Sequence, residues 1–313
     1  MTALLVDTNP APGGAPVPAR HRTAGGLWTA VRTNRKAVVG LVIFALFGIV
    51  AAVPWLFTSV HHPDELAFQR SLPPSSSHLL GTTALGQDIY SQLVYGTRQS
   101  LIIALVAGFF ATLLAVIVGV SAAYLGGIAD EILLMFTNIF LIIPTFPLVI
   151  IFATYAGKGT LLVILIVLIV TGWSYGANQM RAQAMSLRNR DFLEAARVRG
   201  ERRTYIVFFE ILPTMTSLIV ANFLGAALYA VLTAAGLQFL GLGDPNSISW
   251  GTMLYWSQNQ QALQTGMPLW SIAPGMCVAL LGASFALINY AFDEIGNPAL
   301  RPVRRRRVKR TSG

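Results

Sequence analysis

Charged side chains are scarce in this chain, and their scarcity excludes an ordinary soluble domain. Only 11% of the 313 residues are Asp, Glu, Lys or Arg, whereas 54% are hydrophobic. Soluble globular domains carry a charge on about a quarter of their residues. Cysteine is scarcer still, since the chain has only one, Cys277. Cys277 lies in an apolar run, and we interpret it as a small buried hydrophobe without a disulfide partner. The composition therefore predicts a membrane protein.

Two further absences bear on the source of energy. No apolar run carries Asp, Glu, Lys, Arg or His in its interior, although ion-coupled carriers usually need such groups at membrane depth. The chain also lacks the phosphate-binding pattern G-x-x-x-x-G-K-[ST], since its nearest match, Gly-Lys-Gly-Thr at 157–160, has the wrong spacing. We therefore expect no ATP site and no cofactor in this chain, and an ion-coupled secondary transporter is the less favoured alternative.

Six apolar runs are long enough to cross a membrane, since about twenty residues at ~1.5 Å each cover a ~30 Å hydrocarbon core. We predict spans at 37–57, 101–124, 132–155, 160–180, 214–237 and 269–290. Residues 1–26 are rich in Pro, Gly and Ala without periodicity, and we expect a disordered cytoplasmic tail with no signal peptide. Residues 27–36 are compatible with a short interfacial helix.

The distribution of Lys and Arg indicates the orientation of these spans. Nineteen of the 22 Lys and Arg residues lie before the first span, in the loop 181–213 and in the C-terminal tail, and three lie on the alternate side. Because cytoplasmic segments carry the excess of Lys and Arg, both termini are predicted to be cytoplasmic. The basic tail, 293–313, lies beside a membrane end, so we expect it to bind anionic lipid headgroups and no nucleic acid.

The polar loop 181–213 lies between two spans and holds a short predicted helix. Asp191 and Glu194 have the spacing of a capping box at a helix N-terminus. Residues 195–199 are compatible with the helix itself, and Gly200 offers a left-handed stop at its end. Pro213 suits the first turn of the next membrane helix. A short helix held in this way could dock into a groove on a partner.

These residues carry a resemblance to a known family. Glu194-Ala195-Ala196, then Gly200, then Leu212-Pro213 resemble the EAA loop of permease subunits in binding-protein-dependent ABC importers. Phe-Leu-Gly-Leu-Gly at 239–243 and Trp250-Gly251 are similar to motifs of the C-type permeases of dipeptide and oligopeptide importers (DppC/OppC-like). The similarity covers roughly residues 30–300.

The resemblance implies an all-α membrane protein with six transmembrane helices, a fold like that of type I ABC importer permeases, and transport of peptides without a catalytic site. It also implies partners: a second permease subunit, two ATPase subunits or domains that hold ATP and Mg²⁺, and an extracytoplasmic substrate-binding protein. Nickel or another small solute is an alternative cargo. The residues that it assigns to ATPase coupling are Asp191, Glu194, Ala195, Ala196, Arg197, Gly200, Leu212 and Pro213.

The resemblance also implies a division of the chain into four segments. We expect the tail 1–26, a first span with its outer loop (27–100), a core permease domain (101–292) that contains the coupling loop, and the basic tail 293–313. Glu210 departs from the family pattern, in which an apolar residue or His is more common at this place. A simpler interpretation stays open, in which Asp191 and Glu194 only cap a helix and the arginines only anchor the cytoplasmic side.

Uncharged polar residues within the spans are the candidates for a translocation pathway. They are Asn138, Thr171, Ser174, Asn178, Asn222 and Thr233. Each of them could equally form a hydrogen bond between helices, worth ~0.6 kcal/mol on average in membranes. Pro144 and Pro147 are expected to bend the third span. The bend would face the bundle interior or the pathway, and a packing kink without a transport role is the alternative.

One apparent catalytic motif is set aside. Residues 172–176 match the nucleophile-elbow pattern of hydrolases, which requires a strand, a turn and a helix, followed by Asp and His partners. Here the segment is apolar and helical in pattern, and all four His residues precede it. Small residues for contact between helices explain the match better.

Two outer loops contain glycine-rich motifs. Residues 81–88 resemble a family segment in which Thr83 and Gln87 here replace the usual acid and base, and we favour a structural turn over a ligand role. The loop 238–268 contains Gly241, Gly243, Trp250 and Gly251. The resemblance implies that this second loop dips into the outer mouth of the pathway and helps to receive substrate, with anchoring among lipid headgroups as the alternative.

Overall fold

The computed structural model describes residues 34–60, 63–155 and 161–296. Within these ranges the chain is helical, and its one β-type pairing there is a bridge between Thr82 and Asp88. The predicted tail 1–26, most of the predicted interfacial helix 27–36 and nearly all of the basic tail 293–313 lie outside the described residues.

The helices of eight or more residues in the described ranges are numbered here in chain order. They are α1 Arg35–Ala52, α2 Ile89–Leu125, α3 Gly127–Ile142, α4 Thr145–Tyr155, α5 Leu161–Gly172, α6 Ser174–Leu187, α7 Asp191–Val198, α8 Thr216–Phe239, α9 Trp250–Asn259 and α10 Pro268–Gly296. Four shorter elements complete the list: a 3₁₀ turn Pro54–Leu56, single helical turns Arg203–Tyr205 and Leu212–Thr214, and a π-helix Ile206–Ile211.

Five of the predicted spans correspond to apolar helices long enough to cross a membrane. These helices are Arg35–Ala52, Ile89–Leu125, Leu161–Leu187, Thr216–Phe239 and Pro268–Tyr290. The remaining prediction, a span at 132–155 bent by two prolines, is neither confirmed nor contradicted as a single crossing. There, α3 and α4 are bent by 87° against each other, so the pair is one broken span or a re-entrant loop. The described residues thus contain five or six candidate spans.

Proline accounts for the break between α3 and α4. Ile143 ends α3 with an extended backbone (φ −65°, ψ 127°), which is the conformation that a following proline favours. Pro144 then separates the two helices, whereas Pro147 lies in the first turn of α4, where a missing N–H is tolerated. The bend was predicted from the two prolines, but its size was not.

Three boundaries differ from the predictions. The first span ends at Ala52 instead of residue 57, because Pro54 begins a 3₁₀ turn. The second begins at Ile89 instead of residue 101, since Asp88 caps the helix by accepting from the backbone N–H of Ser91. Its 37 residues extend about 55 Å at ~1.5 Å per residue, so α2 projects beyond the hydrocarbon. Finally, α6 continues to Leu187, so the polar loop begins at Arg188 rather than Arg181.

Small residues allow the long helices to pack closely. A Cβ added to Gly108 of α2 would lie 2.9 Å from Cα of Ala227 in α8, and one added to Gly40 of α1 would lie 2.9 Å from the carbonyl oxygen of Ser284 in α10. Helix contacts in membranes rely on such residues because lipid provides little hydrophobic driving force between helices. The resulting bundle places α8 against α2, α9 and α10 around a shared apolar core.

Gly119 provides a test of this close packing between α2 and α6. A Cβ added to Gly119 would lie 2.8 Å from Cβ of Met180 and 3.0 Å from the backbone nitrogen of Arg181. We expect Gly119→Ala to destabilise the chain by about 1–3 kcal/mol, because both backbones must move apart. The measurement is unfolding by denaturant in mild detergent, monitored by tryptophan fluorescence.

Gly48→Ala in α1 is the matched control, since an added Cβ at Gly48 meets nothing within 4 Å. Alanine is the better helix former by up to ~1 kcal/mol, so this variant should unfold no earlier than the parent chain. Equal unfolding midpoints for the two variants would contradict the packing at Gly119.

Candidate functional site

Helix α7 forms the centre of the polar loop, and its start differs from the prediction. Arg190 is the N-cap, without a side-chain capping bond, and Asp191 is the first helical residue. The backbone N–H groups of Leu193 and Glu194 donate to the carbonyl of Arg190 at 2.9 and 3.2 Å. The predicted capping box is therefore not formed. Asp191 and Glu194 instead stabilise α7 as acidic residues in its first turn, beside the positive end of the helix dipole.

The predicted left-handed stop at the end of α7 is confirmed. Gly200 has φ +78°, its N–H donates to the carbonyl of Arg197 at 3.0 Å, and the N–H of Glu201 donates to the carbonyl of Ala196 at 3.2 Å. This pair of bonds is a Schellman motif, which satisfies the last carbonyls of a helix and favours glycine at the left-handed position. The chain therefore leaves α7 in one defined direction.

One face of α7 is packed against the membrane helices. Leu193 and Ala196 are fully buried, in a cluster with Met180 of α6, Val120 of α2 and Ile211 of the π-helix. The opposite face is exposed and includes Asp191, Glu194, Ala195, Arg197 and Val198. Among the residues assigned to coupling, Ala196 is therefore a packing residue beneath the helix rather than a surface residue. Leu212 is half-buried in the same cluster, and Pro213 is exposed.

The segment after Gly200, whose sequence pattern is amphipathic, adds an exposed apolar surface. Residues Ile206–Ile211 form a π-helix, which inserts one residue per turn and so rotates the side chains relative to an α-helix. Phe208 and Phe209 are 64% and 67% exposed, and Phe209 stacks on Tyr205 with ring centroids 4.8 Å apart. Exposed aromatic side chains beside a basic loop are typical of a protein-binding surface.

Glu210, which departs from the family pattern, forms an ion pair with Arg199. Its carboxylate lies 3.6 Å from Nη2 of Arg199, and these side chains are 28% and 55% exposed. The pair connects the end of α7 to the π-helix. Because both groups are partly solvated, the contribution of the pair to stability is small, on the order of 0–1 kcal/mol.

A cleft of about 580 Å³ lies in the membrane-spanning part of the chain. It is lined by residues of α3, α4, α5, α6, α8 and α10. The polar residues of its lining are Thr145, Thr171, Ser174, Tyr175, Gln179, Asn222, Tyr229 and Asn289. The described residues that line it include no Asp, Glu, Lys, Arg or His. Hydroxyl and amide groups can hydrogen-bond to neutral polar groups of many solutes, and they do not select for charge.

The structure brings together three of the six predicted pathway residues. Thr171, Ser174 and Asn222 line the cleft, whereas Asn138, Asn178 and Thr233 do not. Asn138 is exposed on α3, Asn178 is half-buried, and Thr233 is buried. Periodicity alone could not separate these two groups, because the choice depends on how the helices are rotated in the bundle.

Other lining groups were missed by the sequence analysis. Gln179 lies near the end of the fourth predicted span, Tyr229 was grouped with apolar residues, and Asn289 lies near the end of the last span. Leu141 and Thr145, on either side of the break at Pro144, also line the cleft. The break therefore faces the cleft, as expected for freed backbone groups that need cover from protein or water.

Gly176 leaves room for Asn222 in the lining of the cleft. A Cβ on Gly176 would meet the carboxamide group of Asn222, with its carbon 2.8 Å away. Asn222 can therefore lie flat against α6 only because residue 176 has no side chain. Elsewhere in the lining, the hydroxyl groups of Thr171 and Tyr229 are in hydrogen-bond contact, 3.4 Å apart.

The second outer loop is held by buried contacts. Trp250 is fully buried, its Nε1–H donates to the carbonyl of Leu93 at 3.1 Å, and its backbone N–H donates to Oγ of Ser100 at 3.1 Å. Trp250 therefore anchors the loop inside the bundle, and the alternative of anchoring among headgroups is wrong for this residue. Gly251 and Gly243 both pack against the side chain of Gln238, and Gly241 adopts φ +78°.

The first outer loop is a structural cap, as expected. Asp88 caps α2 by accepting from the N–H of Ser91 at 2.8 Å and contacts Nδ1 of His78 at 2.9 Å. Thr83 is fully buried, and its Oγ1 accepts from the backbone N–H of Gln87 at 3.1 Å. The two uncharged replacements thus contact each other within a tight turn.

Comparisons with known proteins show the family of this chain. Residues 111–294 match the family described as binding-protein-dependent transport system inner membrane component. The oligopeptide transport system permease protein OppC of Mycobacterium tuberculosis (strain ATCC 25618 / H37Rv) is 31% identical over 277 residues, which is 87% of this chain and 93% of that protein.

Two further relatives are equally similar. OppC of Bacillus subtilis (strain 168) is 31% identical over 273 residues, covering 86% of this chain and 88% of that protein. The dipeptide transport system permease protein DppC of Alkalihalophilus pseudofirmus (strain ATCC BAA-2126 / JCM 17055 / OF4) is 31% identical over 297 residues, covering 92% and 95%.

The cleft can be tested without an activity assay. With Cys277 replaced by serine, single cysteines at Asn222, which lines the cleft, and at Thr233, which is buried elsewhere in α8, provide a matched pair. We expect a small water-soluble maleimide to label Asn222→Cys about ten-fold faster than Thr233→Cys, because only a thiol in contact with water ionises and reacts. Equal labelling rates would contradict a hydrated cleft.

Proposed function

The chain belongs to the family of binding-protein-dependent transport system inner membrane components, and on this basis we propose that it is the peptide permease subunit of an ATP-driven importer. It is a multi-pass protein of the inner membrane. The relatives are named for oligopeptide and dipeptide transport, and we extend that cargo to this chain. The energy comes from two separate ATPase subunits or domains, which bind ATP and Mg²⁺.

The observation that carries this proposal is that α7 has one buried face and one exposed face. Its inner face is fixed to the bundle by Leu193 and Ala196, while its outer face presents Glu194, Ala195 and Arg197 to solvent. Force that an ATPase applies to the exposed face would therefore displace the helices that pack beneath it. The exposed aromatic side chains of Phe208 and Phe209 extend the same surface.

The proposed topology has six crossings with both termini in the cytoplasm. The α3–α4 pair counts as one broken crossing, and the excess of Lys and Arg in the loop after α6 supports a cytoplasmic position for α7. The core permease domain then runs from 101 to 292, preceded by the first span with its folded outer loop.

The proposed pathway runs along the neutral cleft. Its amide and hydroxyl groups can hydrogen-bond to the peptide groups that all peptides share, while the absence of charge among the described lining residues leaves side-chain identity open. A second permease subunit would complete the wall of the cleft. The outer loop fixed by Trp250 would receive cargo from an extracytoplasmic binding protein.

Gly200 tests the transmission of force. Proline cannot adopt φ +78° and has no N–H to donate to Arg197, so Gly200→Pro should break the Schellman motif. We expect ATP-driven uptake of labelled peptide by the reconstituted complex to fall about ten-fold or more, while ATP hydrolysis continues.

Gly200→Asn is the control, because asparagine tolerates the left-handed conformation and keeps the N–H. This variant should retain most of the uptake. Normal uptake by Gly200→Pro, at equal amounts of assembled complex, would refute transmission through α7. ATP-driven uptake of nickel instead of peptide would refute the proposed cargo alone.

A further inference from the structure

Asp130 and Arg181 form the best-defined ion pair among the described residues. Nε of Arg181 donates to Oδ1 of Asp130 at 2.6 Å, and Nη2 donates to Oδ2 at 2.7 Å. Their side chains are only 16% and 21% exposed. Two parallel charge-assisted bonds fix both distance and orientation, which a single contact does not. The pair joins the first turn of α3 to α6.

Helix α3 has few other attachments to the chain. Thr137 is its one buried residue, while Ile128, Ile132, Met135 and Phe136 are between 47% and 75% exposed. Among the hydrogen bonds and ion pairs of the described residues, those of Asp130 with Arg181 are the ones that join α3 to α6. Further along α3, Phe140 packs against Trp173 with ring centroids 5.5 Å apart.

The partner of α3 in this pair is itself tied to α7. Met180 and Ala184 of α6 pack in the same cluster as Leu193 and Ala196 of α7. Arg197 of α7 also donates to the carbonyl of Arg188, at the end of α6, at 3.2 Å. The path of contacts therefore runs from α7 to α6, and from α6 through the ion pair to α3.

Helix α3 in turn forms a wall of the cleft. Phe140 and Leu141 line the cleft, about 15 Å along the helix from Asp130 at ~1.5 Å per residue. The break at Pro144 follows at once, so α3 ends there and is not continued by α4, which is bent by 87° against it. The position of that end depends on how firmly the inner end is held.

We propose that the Asp130–Arg181 pair is a rigid link that makes α3 move together with α6, so that movement of α7 displaces the cleft wall at Phe140 and Leu141. Both residues are positioning residues, since neither lines the cleft. Arginine is required for the fork geometry, because lysine would supply charge without the second bond. The role as a transmitter rests on the proposed function, but the rigid link between α3 and α6 does not.

The link itself is measured in the chain alone, in lipid nanodiscs. With Cys277 replaced by serine, spin labels are placed at Ile128 of α3 and Met185 of α6, which are 75% and 43% exposed. We expect one narrow distance distribution in the parent chain and a broader one in Asp130→Asn and in Arg181→Gln. The exchange of the two residues, Asp130→Arg with Arg181→Asp, should narrow the distribution again.

Glu131→Gln is the matched control, because Glu131 is the exposed neighbour of Asp130 on the same turn. It should leave the distribution unchanged. Unchanged distance distributions in Asp130→Asn and Arg181→Gln would overturn the proposed rigid link, whether or not the chain is a peptide permease.

The transmitting role is measured in the reconstituted complex. For equal amounts of assembled complex, we expect Asp130→Asn to lower peptide uptake per ATP hydrolysed about ten-fold, the order of a typical coupling between two sites. Arg181→Lys should lie between this variant and the parent. A role in folding alone would lower the amount of complex and leave this ratio unchanged, which would overturn the proposal. Absence of ATP-driven uptake in the parent complex would refute the proposed function while the distance measurement stands.

Discussion

Hydrocarbon can neither solvate a charge nor hydrogen-bond to a peptide group, and the position of each polar feature in this chain follows from that constraint. The described charged residues lie towards the ends of the spans or in the loops, and Asp130, in the first turn of α3, is paired with Arg181 of α6. Within the spans, polarity is limited to hydroxyl and amide groups, many of which gather at one cleft. The backbone groups freed by Pro144 also face that cleft.

The proposal that the energy comes from a separate ATPase agrees with the same constraint. Ion-coupled carriers usually have ionisable groups at membrane depth, and the described residues that line the cleft include no Asp, Glu, Lys, Arg or His. The alternative is mechanical work delivered at the surface. Helix α7 is suited to receive it, because a capped end at Gly200 and two fully buried side chains, Leu193 and Ala196, hold it to the bundle. Close contacts between small residues pack the long helices of the bundle tightly against one another.

The sequence predicted what depends on local chemistry. Apolar runs located the spans, Gly200 marked the end of α7, and two prolines marked the break in the third span. Predictions failed where distant residues decide the outcome. Trp250, for example, is buried in the bundle because its Nε1–H donates to the carbonyl of Leu93, 157 positions earlier, and the sequence left anchoring among headgroups open for its loop.

The site was predicted less completely than the fold, for the same reason. Thr171, Ser174 and Asn222 line the cleft, but Asn138, Asn178 and Thr233 do not, because helix rotation in the bundle separates residues that look alike in sequence. Ala196 carries the family motif yet points inward, and the aromatic surface at Phe208 and Phe209 depends on a π-helix that no simple period indicates. The fork between Asp130 and Arg181 joins residues 51 positions apart.

The central claim is that α7 lies in the cytoplasm and receives force from a separate ATPase. It is tested most directly by a cysteine at Glu194 in a chain with Cys277→Ser, labelled by a membrane-impermeant maleimide from each side of the membrane. The account predicts labelling from the cytoplasmic side only, and slower labelling when the ATPase subunits are bound. Labelling from the outer side, or the same rate with and without those subunits, would contradict it.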